Sequence, residues 1–356
     1  MLGGTLFSTS HWSGFSSEMK EDEMIVRTKY SKASGTATVD YYNDGQLSVK
    51  RYQTKGWIFS EYPTGERYTV MEATIDMCDT SVIESLYYDI VEDSLPLTAT
   101  KTTTENSIKY NVKQITNSGV LNINFVMGTD EKLQNVMFSY GPENGDAVDE
   151  QYISNYTLEV QTPSDFDIAD FENADISSMY GQLVLSGKFT NISHWSGFEG
   201  EYSESGKGTQ EFMYSKSNNS GVLTETSASS TKYEYFDGTK EYRKTVVGGT
   251  PEYSSTQNSD WETELPIFFD SVFESMRNID SFISFNADYS YEIKVSGDLG
   301  EVDSTAEFTF EFDVNGVLTA LSMRGYNDAE LDAQLTMANY TQSVTAPSWF
   351  NASDYQ

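Results

Sequence analysis

Asn155-Tyr-Thr-Leu-Glu-Val-Gln-Thr-Pro-Ser-Asp-Phe166 returns as Asn339-Tyr-Thr-Gln-Ser-Val-Thr-Ala-Pro-Ser-Trp-Phe350, 184 residues later. The chain is a duplication. Both copies read as a short β-strand halted at Pro163 or Pro347, because proline has no N–H to give a ladder and fixes φ. Each copy therefore closes a unit, and the 356 residues divide into a first repeat at 1–178 and a second at 179–356. Two units also suit the length, since single cores rarely grow past about 250–300 residues.

Working outward, His11-Trp-Ser-Gly-Phe15 opens the first unit and His194-Trp-Ser-Gly-Phe198 the second, and these are the chain's 2 histidines. Tyr30-Ser-Lys32 matches Tyr214-Ser-Lys216. Tyr41-Tyr-Asn-Asp-Gly45 aligns with Tyr235-Phe-Asp-Gly238 if an insertion is placed around Asn218 to Ser230. Between the landmarks lie short runs of β-branched and aromatic residues separated by turn chemistry. Ala37 to Tyr42, Leu47 to Tyr52, Trp57 to Tyr62 and Arg67 to Met71 predict an antiparallel meander. Thr231 to Phe236, Glu241 to Val247 and Glu252 to Thr256 repeat it in a more polar form.

Each unit then carries one predicted helix. Ser81 with Glu84, and Ser259 with Glu262, fit a capping box, and apolar residues recur behind them at i, i+3, i+4 spacing from Val82 to Val91 and from Trp261 to Met276. Strands resume at Ile108 to Gln114, Val120 to Met127 and Leu133 to Tyr140, and at Tyr289 to Ser296, Ala306 to Val314 and Val317 to Arg324. Phe308, Phe310 and Phe312 alternate with polar residues and so share one face of a sheet, as do Ile123, Phe125 and Met127. The fold class expected is α+β and sheet-dominated: two tandem repeats, each a curved antiparallel half-barrel with one helix on its concave face.

The net charge is −33, spread along both halves. Nucleic acid is excluded as a partner on this ground, because a polyanion requires basic residues to neutralise its phosphates. The acidity suits the solubility of an exported or cell-surface protein. A single cysteine, Cys78, rules out an intrachain disulfide. No run approaches the roughly 20 apolar residues of a membrane helix, so an integral membrane protein is not expected; Met1-Leu-Gly-Gly-Thr5 has neither a basic n-region nor an apolar h-region, which reads either as a cytosolic protein or as a mature form from which a signal or lipidated cysteine has been removed.

Motifs with a known mechanism are missing: no phosphate loop, dinucleotide fingerprint, His-Glu-x-x-His, Cys-x-x-Cys or Gly-x-Ser-x-Gly occurs. Asp165, Asp167, Asp170 and Asp175 alternate in an acidic tract without the Gly and Glu of an EF-hand loop, and read as a solvated linker. His-Trp-Ser-Gly-Phe reads as a structural element whose Trp and Phe pack in the core and whose Gly14 or Gly197 relaxes a bend. The expectation is a non-enzymatic protein with no metal and no cofactor.

The order of elements, an aromatic meander, one helix, further strands and a closing segment ending in Pro-x-x-Phe, resembles the lipoprotein-carrier-like domains of bacterial envelopes. Gly56-Trp-Ile-Phe59, Glu66-Arg-Tyr68, Ser81 to Glu92, Trp261 to Met276, Val160 to Phe166 and Val344 to Phe350 carry the resemblance, over roughly Tyr30 to Phe171 and Tyr214 to Tyr355. It implies a sheet that wraps around helices and holds a lipid or other apolar ligand between them. The candidate lining is then Trp57, Phe59, Ile83, Leu86, Tyr87, Ile90 and Phe125 in the first unit. In the second it is Trp261, Leu265, Phe268, Phe269, Val272, Phe308 and Phe310. The alternative is a surface adhesion or structural module whose aromatics point outward to glycans or proteins.

Overall fold

Asp22, Asp44, Gly45, Lys55 and Gly56 all take positive φ, the backbone of tight hairpin turns, and they fold the start of the chain back on itself three times. The computed structural model describes residues 9–65, 67–72, 95–143, 145–257, 275–300 and 303–355. Strands β1 (Gly14–Glu21), β2 (Met24–Ser31), β3 (Thr36–Asn43), β4 (Gln46–Thr54), β5 (Trp57–Tyr62) and β6 (Arg67–Glu72) form the first meander. A second meander follows: β7 (Leu97–Thr103), β8 (Ile108–Ile115), β9 (Val120–Met127), β10 (Leu133–Gly141) and β11 (Asp149–Asn155). The last strand pairs with the first, giving an 11-stranded antiparallel sheet of order β6-β5-β4-β3-β2-β1-β11-β10-β9-β8-β7. It does not close into a barrel.

The second unit repeats this order. After the two-residue β12 (Ala174–Asp175) come β13 (Gly197–Glu204), β14 (Gly208–Ser215), β15 (Ser220–Thr226), β16 (Ser230–Phe236), β17 (Lys240–Val247) and β18 (Thr250–Gln257). Then follow β19 (Arg277–Phe285), β20 (Tyr291–Asp298), β21 (Ser304–Phe312), β22 (Leu318–Asn327) and β23 (Glu330–Asn339). Their order is β12-β19-β20-β21-β22-β23-β13-β14-β15-β16-β17-β18. The sheet-dominated α+β class and the two antiparallel repeats are thus present in the molecule.

This topology corrects the internal alignment. Asn218 to Ser230 is no insertion, because it contains β15, the counterpart of β3. Tyr235 on β16 therefore corresponds to Tyr52 on β4 and not to Tyr41.

The division between units also falls earlier than 178, at Asp170 and Phe171. The acidic tract is not a solvated linker throughout. Ala174 pairs with Ile283 on β19, and Phe171, Ile176 and Met179 are buried. A short helix, α1 (Tyr180–Leu185), follows. It buries Leu183, and the Phe189 ring beyond it stacks on Phe310 with centroids 4.5 Å apart. The helices expected at Ser81 to Glu92 and at Trp261 to Met276 lie outside the described residues, except for Ser275, which is exposed, and Met276, which is buried.

The repeated Asn-Tyr-Thr segments are not strands. β11 stops at Asn155 and β23 at Asn339, and the chain beyond each runs as an extended strap over its own first meander. In the first unit Val160 is buried, the Thr162 and Tyr52 hydroxyls are 3.1 Å apart, and Asp165 pairs with Lys50. The Phe166 N–H then bonds the Pro163 carbonyl at 3.1 Å, turning the Phe166 ring onto Tyr52 and Phe59 at 4.8 and 5.4 Å. In the second unit Asn218 Nδ2 donates to the Val344 carbonyl at 2.7 Å, and Phe350 lands on Tyr235 and Tyr242 at 4.9 and 4.7 Å. Proline stops the ladder and the aromatic behind it fastens the strap.

Phe166→Ala is expected to cost about 1–2 kcal/mol, below the ~3–5 of a fully buried Phe, because the ring is half-buried. Urea unfolding with a proteolysis time course would check it: cleavage should concentrate after residue 155, and a protein as resistant as the parent would contradict the strap's role.

Candidate functional site

Residues directly opposite one another on paired antiparallel strands share a face, so the register sorts the candidate lining. Phe125 pairs across to Val136, Ile153, Ser17, Thr28, Val39, Arg51 and Ser60 in one row. Phe59 pairs across to Tyr52, Thr38, Lys29, Ser16, Ser154 and Asn135 in another. The two rows lie on opposite faces of the sheet. Phe125 belongs to the main apolar core with Trp12, Phe15 and Ile123, whereas Trp57 and Phe59 face the strap side. A single apolar space lined by Trp57, Phe59 and Phe125 does not form.

Trp57, Phe59, Phe125, Phe308 and Phe310 are 3%, 1%, 0%, 1% and 0% exposed, so each is packed as core. In the second unit Phe308 and Phe310 do share the apolar face. Ile83, Leu86, Tyr87, Ile90, Trp261, Leu265, Phe268, Phe269 and Val272 lie outside the described residues.

The two histidines have a structural partner. His11 Nε2 lies 2.8 Å and Trp12 Nε1 2.7 Å from the carbonyl of Leu133, the first residue of β10. His194 and Trp195 converge on the Leu318 carbonyl at 2.8 and 2.6 Å, at the start of β22. A carbonyl only accepts, so each imidazole donates through Nε2. Gly14 and Gly197 relax no bend. A Cβ there would lie 2.0 Å from the Tyr30 carbonyl oxygen and 2.1 Å from that of Tyr214, so glycine is required by the close approach of the next strand. Among the described residues no group of His, Cys, Asp and Glu is placed to hold a metal, and no helix is long and apolar enough to cross a membrane.

Among the described residues, a candidate site is a groove on the apolar face of the first unit. Phe138, Gln151, Met19, Val26 and Tyr41 stand opposite one another across five strands, from β10 through β11, β1 and β2 to β3. Leu121, Tyr140, Asp149 and Glu21 form the neighbouring row. Between them, Met19, Leu121, Phe138, Tyr140 and Gln151 line an open cavity of about 340 Å³, with Lys20, Glu21, Asp149 and Glu150 at its rim. The lining was missed because β1 and β11 are polar in sequence. Only the pairing register sets Met19 beside Phe138.

At the Tyr41 end stands Arg51. Its Cζ is 4.9 Å from the Tyr41 ring centroid, and Nη1 donates to the Tyr41 hydroxyl at 3.0 Å. Its Nε is buried with no hydrogen-bond partner, and so is Oε1 of Gln53, two residues along the same face and 8% exposed. Arg51 forms no ion pair among the described residues, in a chain with 55 acidic side chains.

The second unit places different chemistry at the same positions. By strand order and register, Tyr202 replaces Met19, Gln210 replaces Val26, Glu225 replaces Tyr41, Glu234 replaces Arg51, Glu241 replaces Ile58 and Arg243 replaces Ser60. Arg243 donates through Nε to Glu234 at 2.6 Å and through an Nη to Glu241 at 2.9 Å, and Lys232 lies 2.7 Å from Glu234 and 3.8 Å from Glu225. Burial, with Glu234 beside it, raises the Glu241 carboxyl above the usual range, and Arg243 opposes the rise. Burial and a hydrogen bond to Glu204 push the Tyr202 hydroxyl up to about 12. On this face the charged side chains pair with one another, whereas the first unit sets Arg51 beside Tyr41 with no ion pair among the described residues.

The fold and this face define the molecule as a tandem of two open antiparallel sheets whose equivalent surfaces have diverged. Comparison with known proteins adds no family: no family model matches the chain and no curated protein matches it. Among solved structures, PCNA from Thermococcus kodakaraensis aligns at 9% identity over 94% of each chain with a TM-score of 0.11. The Helicobacter pylori beta clamp aligns at 7% identity over 95% of each chain with a TM-score of 0.13. Intact Ap-TbpB, with its N and C lobes, aligns at 7% identity over 89% of this chain and 66% of that one, at 0.12. Scores this low carry no argument about fold or function.

Proposed function

We propose that the protein is a non-enzymatic, exported or cell-surface binding protein that holds a lipid or other apolar ligand on the apolar face of its first unit. The groove of about 340 Å³ over Met19, Leu121 and Phe138 carries the reading, since small-molecule sites are concave, mostly apolar and about 300–1,000 Å³ in volume. The resemblance to lipoprotein-carrier-like domains points the same way. So does the use of His11 and His194 as strand anchors, each bonded through Nε2 to a backbone carbonyl. Against the adhesive alternative, Trp57, Phe59, Tyr235 and Phe236 are buried.

Native followed by denaturing mass spectrometry of the freshly purified protein tests this, together with uptake of a fluorescent fatty-acyl probe. A small apolar molecule released on unfolding, or saturable probe uptake lost in Gln151→Trp, is the expected result. The tryptophan would fill the groove between Met19 and Phe138. No released molecule and no uptake would overturn the reading and return the choice to the adhesive module.

A further inference from the structure

The proposal that follows rests on the groove reading and names the ligand class. The row Phe138, Gln151, Met19, Val26, Tyr41 is continuous, and Met19 and Tyr41 stand two strand spacings apart, about 10 Å. The Arg51 guanidinium lies against the Tyr41 ring. An apolar chain seated at Met19 and Phe138 reaches that cation only by continuing about 10 Å further along the face, over Val26 and Tyr41.

That cation is incomplete. A buried guanidinium N–H without a partner costs free energy, and here the orphan donor of Arg51 lies on the same face as the orphan acceptor of Gln53. Neighbouring positions do not relieve them: Ser60 and Ile58 face Arg51 and Gln53 across the strand pair. In the second unit Glu234 stands at the Arg51 position, and the cation opposite it, Arg243 at the Ser60 position, is closed off by Glu234 and Glu241. The duplication thus supplies an internal control. In one copy the charges pair with one another, and in the other a buried donor and a buried acceptor stand without partners on the face that carries the groove.

We propose that the first unit binds a single-chain amphiphile whose head bears an anionic oxygen, carboxylate or phosphate, next to a hydroxyl or amide N–H. The anionic oxygen accepts from Arg51, the neighbouring N–H or O–H donates to Gln53 Oε1, and the chain runs along Tyr41, Val26 and Met19 toward Phe138. Guanidinium is the group suited to such heads, being planar, always charged and weakly hydrated. The second unit does not take this ligand, because a carboxylate, Glu234, stands where Arg51 stands in the first, and Arg243 is already held by Glu234 and Glu241.

The test compares four probes on the full-length protein by calorimetry: oleoyl lysophosphatidic acid, which has chain, phosphate and hydroxyl; oleic acid; uncharged monoolein; and inorganic phosphate. Lysophosphatidic acid is expected to bind about one per chain and about 10- to 100-fold more tightly than monoolein, the range of a charge-assisted hydrogen bond, with oleic acid between them. Arg51→Gln should erase that preference by weakening lysophosphatidic acid far more than monoolein, Arg51→Lys should restore part of it, and Glu241→Gln in the second unit should not alter it.

Equal affinity for lysophosphatidic acid and monoolein would overturn the headgroup assignment while the groove reading stands. Failure of both lipids to bind would overturn both. Binding of inorganic phosphate as tight as that of the lipid would reduce the site to a free-anion site and reject the amphiphile. The comparison of probes on the parent protein decides even if Arg51→Gln does not fold.

Discussion

Trp195→Ala is expected to destabilise the protein by about 3–5 kcal/mol, as truncation of a buried aromatic does, measured by guanidinium unfolding. The indole is 2% exposed, and its N–H bonds the Leu318 carbonyl at 2.6 Å. That bond ties the segment entering β13 to the start of β22, two strands away with β23 between them. Its loss removes both packing and a clamp across the middle of the sheet. Trp195→Phe should keep much of the packing and lose mainly the hydrogen bond, about 1 kcal/mol, because His194 still occupies the same carbonyl. A loss below 1 kcal/mol for Trp195→Ala would show that the clamp does not hold the sheet.

Phe310→Ala is expected to cost a similar ~3–5 kcal/mol, with the stacked Phe189 ring accounting for part of it. Phe310 is fully buried between Ile293 and Leu321 on neighbouring strands. If Phe310 is core, truncation lowers the unfolding midpoint and leaves ligand uptake by the first unit intact. If it walls a ligand space, the reverse pattern appears, with uptake reduced and stability nearly unchanged. Paired unfolding and probe-binding measurements on the variant separate these outcomes.

The duplication and the strands rich in aromatic and β-branched residues were legible in the sequence. Trp57–Tyr62 and Val120–Met127 stand in the structure with their expected limits. Other strands were hidden by composition. β7 reads Leu-Thr-Ala-Thr-Lys-Thr-Thr and is exposed along its length, so no alternation marks it. β11 carries mostly polar side chains and half of those on β23 are polar, so the sequence pattern points instead to the repeated segment just beyond them.

The candidate site failed for a different reason. Which face a residue occupies depends on the parity of its register through every intervening pair, and sequence alone does not supply that parity. One sign was present. Trp57-Ile-Phe-Ser60 is buried without a break, and a strand that does not alternate is covered on both faces, so Phe59 and Ile58 serve different layers. Arg51 and Gln53 alternate with Lys50 and Tyr52 in the same way. Their importance emerges only once Glu234 and Phe236 are seen to be their counterparts.

Each sheet is sewn together at its centre by the opening strand of its first meander and its last strand. Phe15 meets Asn155, and Phe198 meets Asn339. During synthesis β1 therefore waits with one edge bare until nearly the whole unit has been made. Pairings of such long sequence separation slow folding, and a bare strand edge invites association with other chains. Timing, more than final stability, is where this architecture is exposed: the second meander must arrive before the first finds another partner.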